Sequence, residues 1–444
     1  MKRWQLGIVA VLASLLWACG GGGGGAGEKV SVHLTVPLGE GGPAVAEVVY
    51  QAGDGSWQLA PQTGLGRYAF SLPPGEKRYG VAIACYPYGT ALGSVGWVKV
   101  YQLTTDEARA LKVACFDLEL GYLEMTELRV RAHAKSGDLG YDRAWYYTAI
   151  DQEQGDFSGS VNLTIEAKPD RDLLVVAYAD GTSQWHPDLI RRIRFLRDYD
   201  ASAAPPLSLD VELGPGDRPA SSRVHAFSVP RWADGGSSFG VGFVSAQGLR
   251  VPHTSHDPGE NPALGAGDAA GGSYLRIPGA GGDDVYYAEA VAWDAGETHF
   301  ASQVRILGSS GPEIEFKLPE GRFDPRVDDN ALPTFGGLAP SGTNPIAYAF
   351  FMGFTGFGME AVVSPGWLAS ADRYRFPDLT GVEGFQGSRP RKGEEVHWRA
   401  TAVMSETPLG EILAGDPLPV PAPVPRAPGL SLQLVSKAGR YTVR

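Results

Sequence analysis

The chain has 444 residues, of which 43% are hydrophobic and 20% are charged, and its formal net charge is −12. This length suits about three to four domains. Its 60 glycines and 33 prolines are more than a helical protein carries but fewer than a disordered chain does. The acidic balance repels phosphate backbones, which argues against nucleic acid as a partner. Composition therefore favours an ordered, turn-rich β protein.

The N-terminus has the pattern of an export signal. A basic start, Met1-Lys2-Arg3, precedes an apolar run from Leu6 to Trp17. That run is shorter than the roughly 20 residues of a stable transmembrane helix and is typical of a signal peptide. It ends in Leu16-Trp17-Ala18-Cys19, which resembles the lipobox of bacterial lipoproteins. The resemblance implies removal of residues 1–18, acylation of Cys19 and anchoring to a membrane through the lipid.

The same resemblance implies a location for the mature protein. Residues 20–27 are glycine except for Ala26, so residues 19–29 are predicted to form an acylated, flexible tether that spans roughly 15 Å. Lipoproteins that stay in an inner membrane carry Asp after the acylated Cys, whereas Gly20 occupies that position here. The implied location is the outer membrane or the cell surface.

Two further cysteines, Cys85 and Cys115, form an even pair in an oxidising compartment. Each ends a segment in which apolar residues alternate or run together, as in β-strands. We therefore expect a disulfide that joins two strands, with free thiols as the alternative. Without histidine at ligand spacing, the pair does not indicate a metal site.

A strand pattern recurs about every hundred residues along the chain. In the first copy, Gly66–Pro73 leads through a turn to the nearly continuous apolar segment Tyr79–Tyr86. Apolar segments of the same kind follow at Asp172–Tyr178, Asp284–Trp293 and Val396–Val403. A continuous apolar strand is covered on both faces. The predicted fold is mainly β, with about four tandem antiparallel β-sandwich modules, Ig-like or fibronectin-like, at residues 30–120, 121–217, 218–320 and 321–444.

Each predicted module contains two tryptophans, which we interpret first as core residues. Carbohydrate-stacking platforms are the alternative, which an exposed row of two or more Trp on one face would favour. A basic cluster, Arg191, Arg192, Arg194 and Arg197, alternates in part with apolar residues. It is expected to be a solvated strand face, with a patch for an anionic ligand as the alternative.

The densest set of metal-ligand residue types is His253, His256 and Asp257. These three side chains suit zinc or copper, but Pro252 and Pro258 preclude a helix across them. A polar loop between strands is the alternative interpretation.

An acidic stretch near residue 325 contains a second candidate metal site. Asp324, Asp328 and Asp329 provide oxygen ligands of the kind that calcium prefers, although their spacing matches no EF-hand. The sequence predicts a calcium site at these three residues, although Pro325 and Arg326 interrupt the stretch.

No catalytic motif has the sequence context that its chemistry needs. Gly236-Ser237-Ser238-Phe239-Gly240 matches G-x-S-x-G, but a strand pattern follows it where a nucleophile elbow requires a helix. We expect no catalytic residue, no cofactor and a non-enzymatic binding or structural role, with an envelope protein or a polysaccharide as partner. The alternatives are an exported hydrolase or metal-binding protein with its site in the 250–270 loop, and a polysaccharide-binding module array.

Overall fold

The computed structural model describes residues 27–35, 46–85, 96–115, 126–134, 143–147, 152–156, 160–167, 172–178, 190–197, 207–251, 254, 268–269, 271–338, 344–369, 371–418 and 424–444. These residues are mainly β-strand, in agreement with the predicted fold class. None of their helices is long and apolar enough to cross a membrane.

Module 1 is a two-sheet sandwich. Its strands are β1 (Lys29–Thr35), β2 (Ala46–Ala52), β3 (Gln58–Leu59), β4 (Gln62–Gly64), β5 (Arg67–Ser71), β6 (Arg78–Cys85), β7 (Gly96–Thr104) and β8 (Ala110–Ala114). One sheet has the order β4-β5-β1-β8, and the other half has the order β3-β2-β6-β7. The first strand, β1, pairs antiparallel with β5 and parallel with β8.

Module 2 repeats this topology. Its strands are β9 (Thr126–Ala134), β10 (Arg143–Tyr147), β11 (Gln152–Asp156), β12 (Ser160–Ala167), β13 (Leu173–Tyr178), β14 (Ile190–Leu196) and β15 (Leu207–Leu213). The two sheets have the orders β12-β9-β15 and β11-β10-β13-β14. Here too the first strand, β9, pairs parallel with the last strand, β15.

Module 3 follows a 3-10 turn at Pro215–Asp217. Its strands are β16 (Ala220–Val224), β17 (Phe227–Ser228), β18 (Gly236–Val244), β19 (Arg250–Val251), β20 (Asp268–Ala269), β21 (Gly272–Arg276), β22 (Val285–Trp293) and β23 (His299–Gly308). The four-stranded half has the order β19-β18-β22-β23. On the other side β16 pairs with β21, and Val224 forms a parallel bridge to Ile314.

Module 4 contains the two α-helices among the described residues. Its elements are β24 (Arg326–Val327), β25 (Thr334–Gly336), β26 (Ala347–Phe354), β27 (Phe357–Val363), α1 (Pro365–Leu368), β28 (Arg373–Arg375), β29 (Glu395–Met404), α2 (Leu409–Ala414) and β30 (Ser431–Thr442). The small sheet has the order β24-β25-β28, and the four-stranded half has the order β27-β26-β29-β30.

Three of the four-stranded halves join edge to edge into one 12-stranded sheet, which we call the shared sheet. Strand β23 of module 3 pairs antiparallel with β30 of module 4. Strand β27 of module 4 pairs parallel with β7 of module 1. The modules therefore lie in the order 3, 4, 1 across the sheet, a lateral fusion that the sequence pattern did not predict.

The continuous apolar strands are explained by cores on both faces of the shared sheet. In β6, Ala82 and Ala84 belong to a core that also contains Phe350 of module 4. Their neighbours Val81 and Ile83 face the core inside module 1. Module 1 therefore packs its second sheet on the face opposite to that used by module 4, and β6 is covered on both sides as predicted.

Cys85 and Cys115 form a disulfide, in agreement with the sequence prediction, and their Cα atoms lie 5.4 Å apart. Cys85 ends β6 and Cys115 follows β8, so the bond connects the two sheets of module 1. Both residues are buried in the core of that module.

Candidate functional site

A cavity of about 1260 Å³ lies over the shared sheet, and we call it the trough. Its floor is the face of β22, β23, β30, β29, β26 and β27 that is turned away from the cores of modules 3 and 4. Helix α2 lines one part together with Pro417, Val424 and Pro425, and Tyr101 and Lys112 of module 1 line another part. Three modules thus contribute residues to one concave surface.

The centre of the floor is a row of side chains in register across the strands. The row consists of Phe300, Ser436, Thr401, Ala349, Val362 and Tyr101. The hydroxyls of Thr401 and Ser436 are 2.8 Å apart and share a hydrogen bond. Because strands pair directly in this row, the two adjacent hydroxyl side chains lie between apolar ones on a line perpendicular to the strands.

A second row beside it contains charged and aromatic groups. Arg399, Phe351, Glu360 and Lys99 are opposite one another on consecutive strands. The Glu360 carboxylate lies 3.8 Å from the Lys99 ammonium, which is buried. The Arg399 guanidinium stands 5.2 Å from the centroid of the Phe300 ring, in cation–π geometry. Within this second row Glu360 and Lys99 neutralise each other, and Arg399 stacks on Phe300 of the central row.

At the module 3 side of the floor lies a half-buried carboxyl group. The Tyr287 hydroxyl donates a hydrogen bond of 3.1 Å to Glu289. Burial raises the pKa of Glu289, while the Tyr287 hydrogen bond and the charge of Arg399 oppose that shift. Burial also raises the pKa of Tyr287, so its hydroxyl stays protonated and can donate.

The carboxylates of the floor are not arranged for acid–base hydrolysis of a glycosidic bond. Glu289 lies on β22 and Glu360 lies on β27, five strand spacings away in the sheet, which is about 24 Å. Glycosidases place their two carboxyl groups about 5–9.5 Å apart. This pair is therefore suited to ligand contacts rather than to that chemistry.

Two aromatic rings lie over glycines of the same face. A Cβ at Gly353 would lie 2.8 Å from the Phe351 ring, and a Cβ at Gly358 would lie 2.5 Å from the Trp97 ring. The centroids of the two rings are 5.8 Å apart, and their planes differ by 28°. Glycine inside a strand marks such a close approach, and Gly353 and Gly358 were the signal in the sequence that could have located these rings.

The tryptophans that the structure describes do not form an exposed row. Trp57, Trp97, Trp232, Trp367 and Trp398 pack against hydrophobic cores, and Trp293 is half-buried. The exposed large hydrophobic side chains in the described ranges are Leu59 and Leu65. The observation that would have favoured platforms made of Trp is therefore missing from this part of the chain.

Several predicted sites lie outside the described residues. These are the lipidation site Cys19 with the rest of residues 1–26, and the metal-ligand candidates His253, His256 and Asp257. They stay predictions.

The predicted calcium ligands are described, and each makes its own contacts. Asp324 pairs with Lys437, Asp328 accepts a 2.9 Å hydrogen bond from the Thr334 amide, and Asp329 pairs with Arg444. In the described ranges no group of three or more His, Cys, Asp or Glu side chains is placed to hold a metal ion. The geometry gives the calcium hypothesis no support.

The arginine cluster of module 2 is in part a structural tie. Arg194 pairs with Asp217 at 3.0 Å, and Arg197 pairs with Asp284 of module 3. The Asp284 side chain is fully buried and also accepts hydrogen bonds from the amides of Ala246 and Gly281. These two arginines therefore connect protein segments. Arg191, Arg194 and Arg197 are all exposed, as expected of a solvated strand face.

Comparisons with known proteins do not assign a family. No family model and no curated protein matches the chain. Among solved structures, the Bacillus anthracis TIE protein is 11% identical with a TM-score of 0.17, over 60% of this chain and 45% of that one. This chain therefore spans less than half of that protein.

Two further solved structures are similarly distant. A study of alpha-glucan recognition by family 41 carbohydrate-binding modules from streptococcal virulence factors describes a chain that is 14% identical, with a TM-score of 0.15 over 42% of this chain and 93% of that one. The streptococcal ancillary pilin is 8% identical, with a TM-score of 0.14 over 60% and 89%. TM-scores of this size carry no argument about function.

Proposed function

We propose that this protein is an exported, lipid-anchored protein of the cell envelope with a non-enzymatic binding role, and that the trough is its ligand site. The trough itself carries the proposal. At about 1260 Å³ it exceeds the usual 300–1,000 Å³ of a small-molecule pocket. Its lining mixes apolar side chains with a few convergent polar groups, as binding sites do.

The shape of the trough favours a long ligand. From β22 to β7 the shared sheet crosses six strand spacings, which is about 29 Å. A small molecule would fill only part of that length, whereas a polymer can contact side chains along the whole row. The envelope offers two such partners, a polysaccharide and an extended protein segment.

The anchor supports the location. The lipobox resemblance ends at Cys19, and the first described strand begins at Lys29. A tether of about ten residues holds module 1 within a few tens of ångströms of the membrane surface. A protein tethered in this way meets envelope polymers at high effective concentration.

Replacing Ala349 by Arg tests the site. Ala349 is half-buried between Thr401 and Val362 in the central row, so a large charged side chain there obstructs the trough. We expect purified Ala349→Arg protein to lose retention on envelope fragments that hold the wild type. Gln62→Arg, on the exposed edge strand β4, is the matched control and should bind normally. Equal retention of both variants would remove the trough as the site.

The location has its own test. Wild-type protein should sediment with membranes, and Cys19→Ala should be found in the soluble exported fraction, because the acyl chains provide the membrane affinity. A Cys19→Ala protein that still sediments with membranes would contradict acylation at this residue.

A further inference from the structure

The trough distinguishes between the two kinds of polymer through the charges on its lining. Three acidic side chains, Glu289, Glu297 and Glu360, are balanced by three basic ones, Lys112, Arg399 and Arg440. The chain as a whole is acidic. A polyanion would be repelled by the acidic protein as a whole and by the three acidic side chains of the lining. A polycation would be repelled by the three basic side chains. Charge complementarity therefore selects a neutral ligand.

The floor offers no place to add a strand. Extended peptides bind to sheets mainly through backbone hydrogen bonds at an open edge. Here β23, β30, β29, β26 and β27 are interior strands, each paired on both sides. Their backbone groups are used within the sheet, so a ligand on this face is recognised by side chains alone.

The side chains that remain suit a chain of sugar rings. A pyranose ring has C–H bonds on its faces and hydroxyls on its rim, so it packs on flat aromatic surfaces and hydrogen-bonds to polar groups at its sides. Phe351 lines the trough and is half-buried, which leaves part of its ring accessible as a flat surface. The Trp97 ring, whose centroid is 5.8 Å away, packs against the core of module 1 and supports Phe351 from that side.

The polar groups lie next to the Phe351 ring. The Thr401 and Ser436 hydroxyls belong to the central row, and Arg399, which pairs with Phe351, has its guanidinium over Phe300. Hydroxyls both donate and accept, and guanidinium donates several hydrogen bonds in one plane. Together they can satisfy the mixed donors and acceptors of a polyol without a net charge.

We infer that the trough binds a neutral, hydroxyl-rich polysaccharide laid across the strands, with Phe351 as its stacking surface and Arg399, Thr401 and Ser436 as its hydroxyl contacts. This inference rests on the proposed function, because it names the ligand class of the same site. It differs from the row of exposed tryptophans considered from the sequence, since the stacking surface is one Phe ring lying on the sheet.

The test uses envelope fragments treated in two ways. Periodate cleaves the vicinal diols of sugars, and protease digestion removes protein. Retention of the wild type that is lost after periodate, survives protease and is absent for Ala349→Arg supports the inference. Retention should also change little between about 0.05 and 0.5 M salt, because a neutral ligand does not respond to screening.

The other outcomes of this experiment overturn the ligand class or the site. Trough-dependent retention that is lost after protease, or that survives periodate, keeps the proposed site and overturns the polysaccharide. Retention that falls steeply with salt overturns the neutral class. Retention that Ala349→Arg does not change overturns the proposed function and the inference with it.

A single ring provides the sharper variant. We expect Phe351→Ala to weaken retention at least about tenfold, as truncation of a central aromatic residue in an interface does. Phe354→Ala is the matched control, because Phe354 is on the same strand but packs towards the opposite core. Melting curves of both variants establish that they are folded. Equal binding by folded Phe351→Ala and wild type would contradict the stacking role.

Discussion

Module 2 has the same topology as module 1, but the two modules meet their neighbours differently. In modules 1, 3 and 4 the four-stranded halves join at their edges by backbone hydrogen bonds. Module 2 instead packs a face of its sheet against module 3, where Ile190 and Ile193 enter the same core as Phe243. A trough forms only where edges are joined, because only joined edges make a floor wide enough for a long ligand.

The edge strands explain the difference. Strand β14 of module 2 contains Arg191, Arg192 and Arg194, and among the described residues it pairs only with β13. The corresponding strands β7, β23 and β30 each carry at most two charged side chains over longer spans. Charged side chains on an edge strand prevent further pairing. The composition of this edge strand thus separates a module that packs by a face from modules that join by their edges.

The largest effect is expected from a cavity in the fused part. Phe350 is 1% exposed and stacks on Tyr374 at 4.4 Å. Phe350→Ala should lower the free energy of unfolding by about 3–5 kcal/mol, measured by denaturant titration. The matched change in module 2 is Leu173→Ala, at a fully buried position. It should lower the free energy of unfolding by about 2–5 kcal/mol. If the comparison is right, the first change weakens modules 1 and 4 together and the second weakens module 2.

Removal of the disulfide should have a slightly smaller effect. The bond between Cys85 and Cys115 closes a loop of 30 residues, which contributes about 3.5 kcal/mol in the chain-entropy model. Because β7 is hydrogen-bonded to β27, we expect the double Cys→Ala variant to destabilise module 4 as well as module 1. Destabilisation confined to residues 27–115, seen by limited proteolysis, would contradict the fusion.

Breaking the contact between Arg197 and Asp284 should destabilise the protein less than the core cavity or the loss of the disulfide. Arg197→Ala removes the charged partner of the buried Asp284, and a hydrogen bond to a charged group contributes about 1.5–3 kcal/mol. Module 2 should then melt at a lower temperature while the shared sheet changes little. Arg191→Ala, at an exposed position of β14, is the control and should stay within about 0.5 kcal/mol. Equal effects of the two variants would show that the tie is not formed.

Acid should destabilise the junction of modules 3 and 4. Burial raises the pKa of Asp294, but hydrogen bonds from His299 and Thr298 outweigh it, and the pKa lies well below its usual range. The pKa of Asp324 is also lowered, mainly by its hydrogen bond from Lys437. A lowered folded-state pKa gives stability that is present above the unfolded value, about 3.9, and is lost as the pH falls further.

Melting temperatures between about pH 2 and pH 7 check this expectation. The shared sheet of the wild type should lose stability below about pH 4. Asp294→Asn should start less stable at pH 7 and lose less on acidification, because it lacks the titrating group. A wild type and variant with parallel pH curves would contradict the role of Asp294.

Much of the local structure could be predicted from the sequence. The segments Tyr79–Tyr86 and Val396–Val403 correspond to β6 and β29 within about two residues, because both segments carry a strand-like apolar pattern. In β6 the pattern is continuous, since that strand is buried on both faces. The disulfide was predictable from the parity of the cysteines and their strand contexts. Short edge strands such as β3 and β19 have two residues each and leave no periodicity to detect.

The trough could not be predicted, for a physical reason. Its floor depends on which edges pair, and β7 meets β27 across about 260 residues of chain. Hydrophobic periodicity reports the two faces of a strand but not its lateral neighbour. The last strand shows the consequence, since β30 (Ser431–Thr442) pairs with β29 of its own module and also with β23 of module 3.

Hydrogen exchange of the wild type and of Phe350→Ala tests the shared sheet most directly. Amides that open only through unfolding of a common unit lose the same protection when that unit is destabilised. We predict that the amides of β7 in module 1 and of β26 in module 4 lose protection by the same factor, while those of β9 and β12 in module 2 keep theirs. Unchanged protection of β7 beside a weakened β26 would contradict the fusion of the modules and the trough that depends on it.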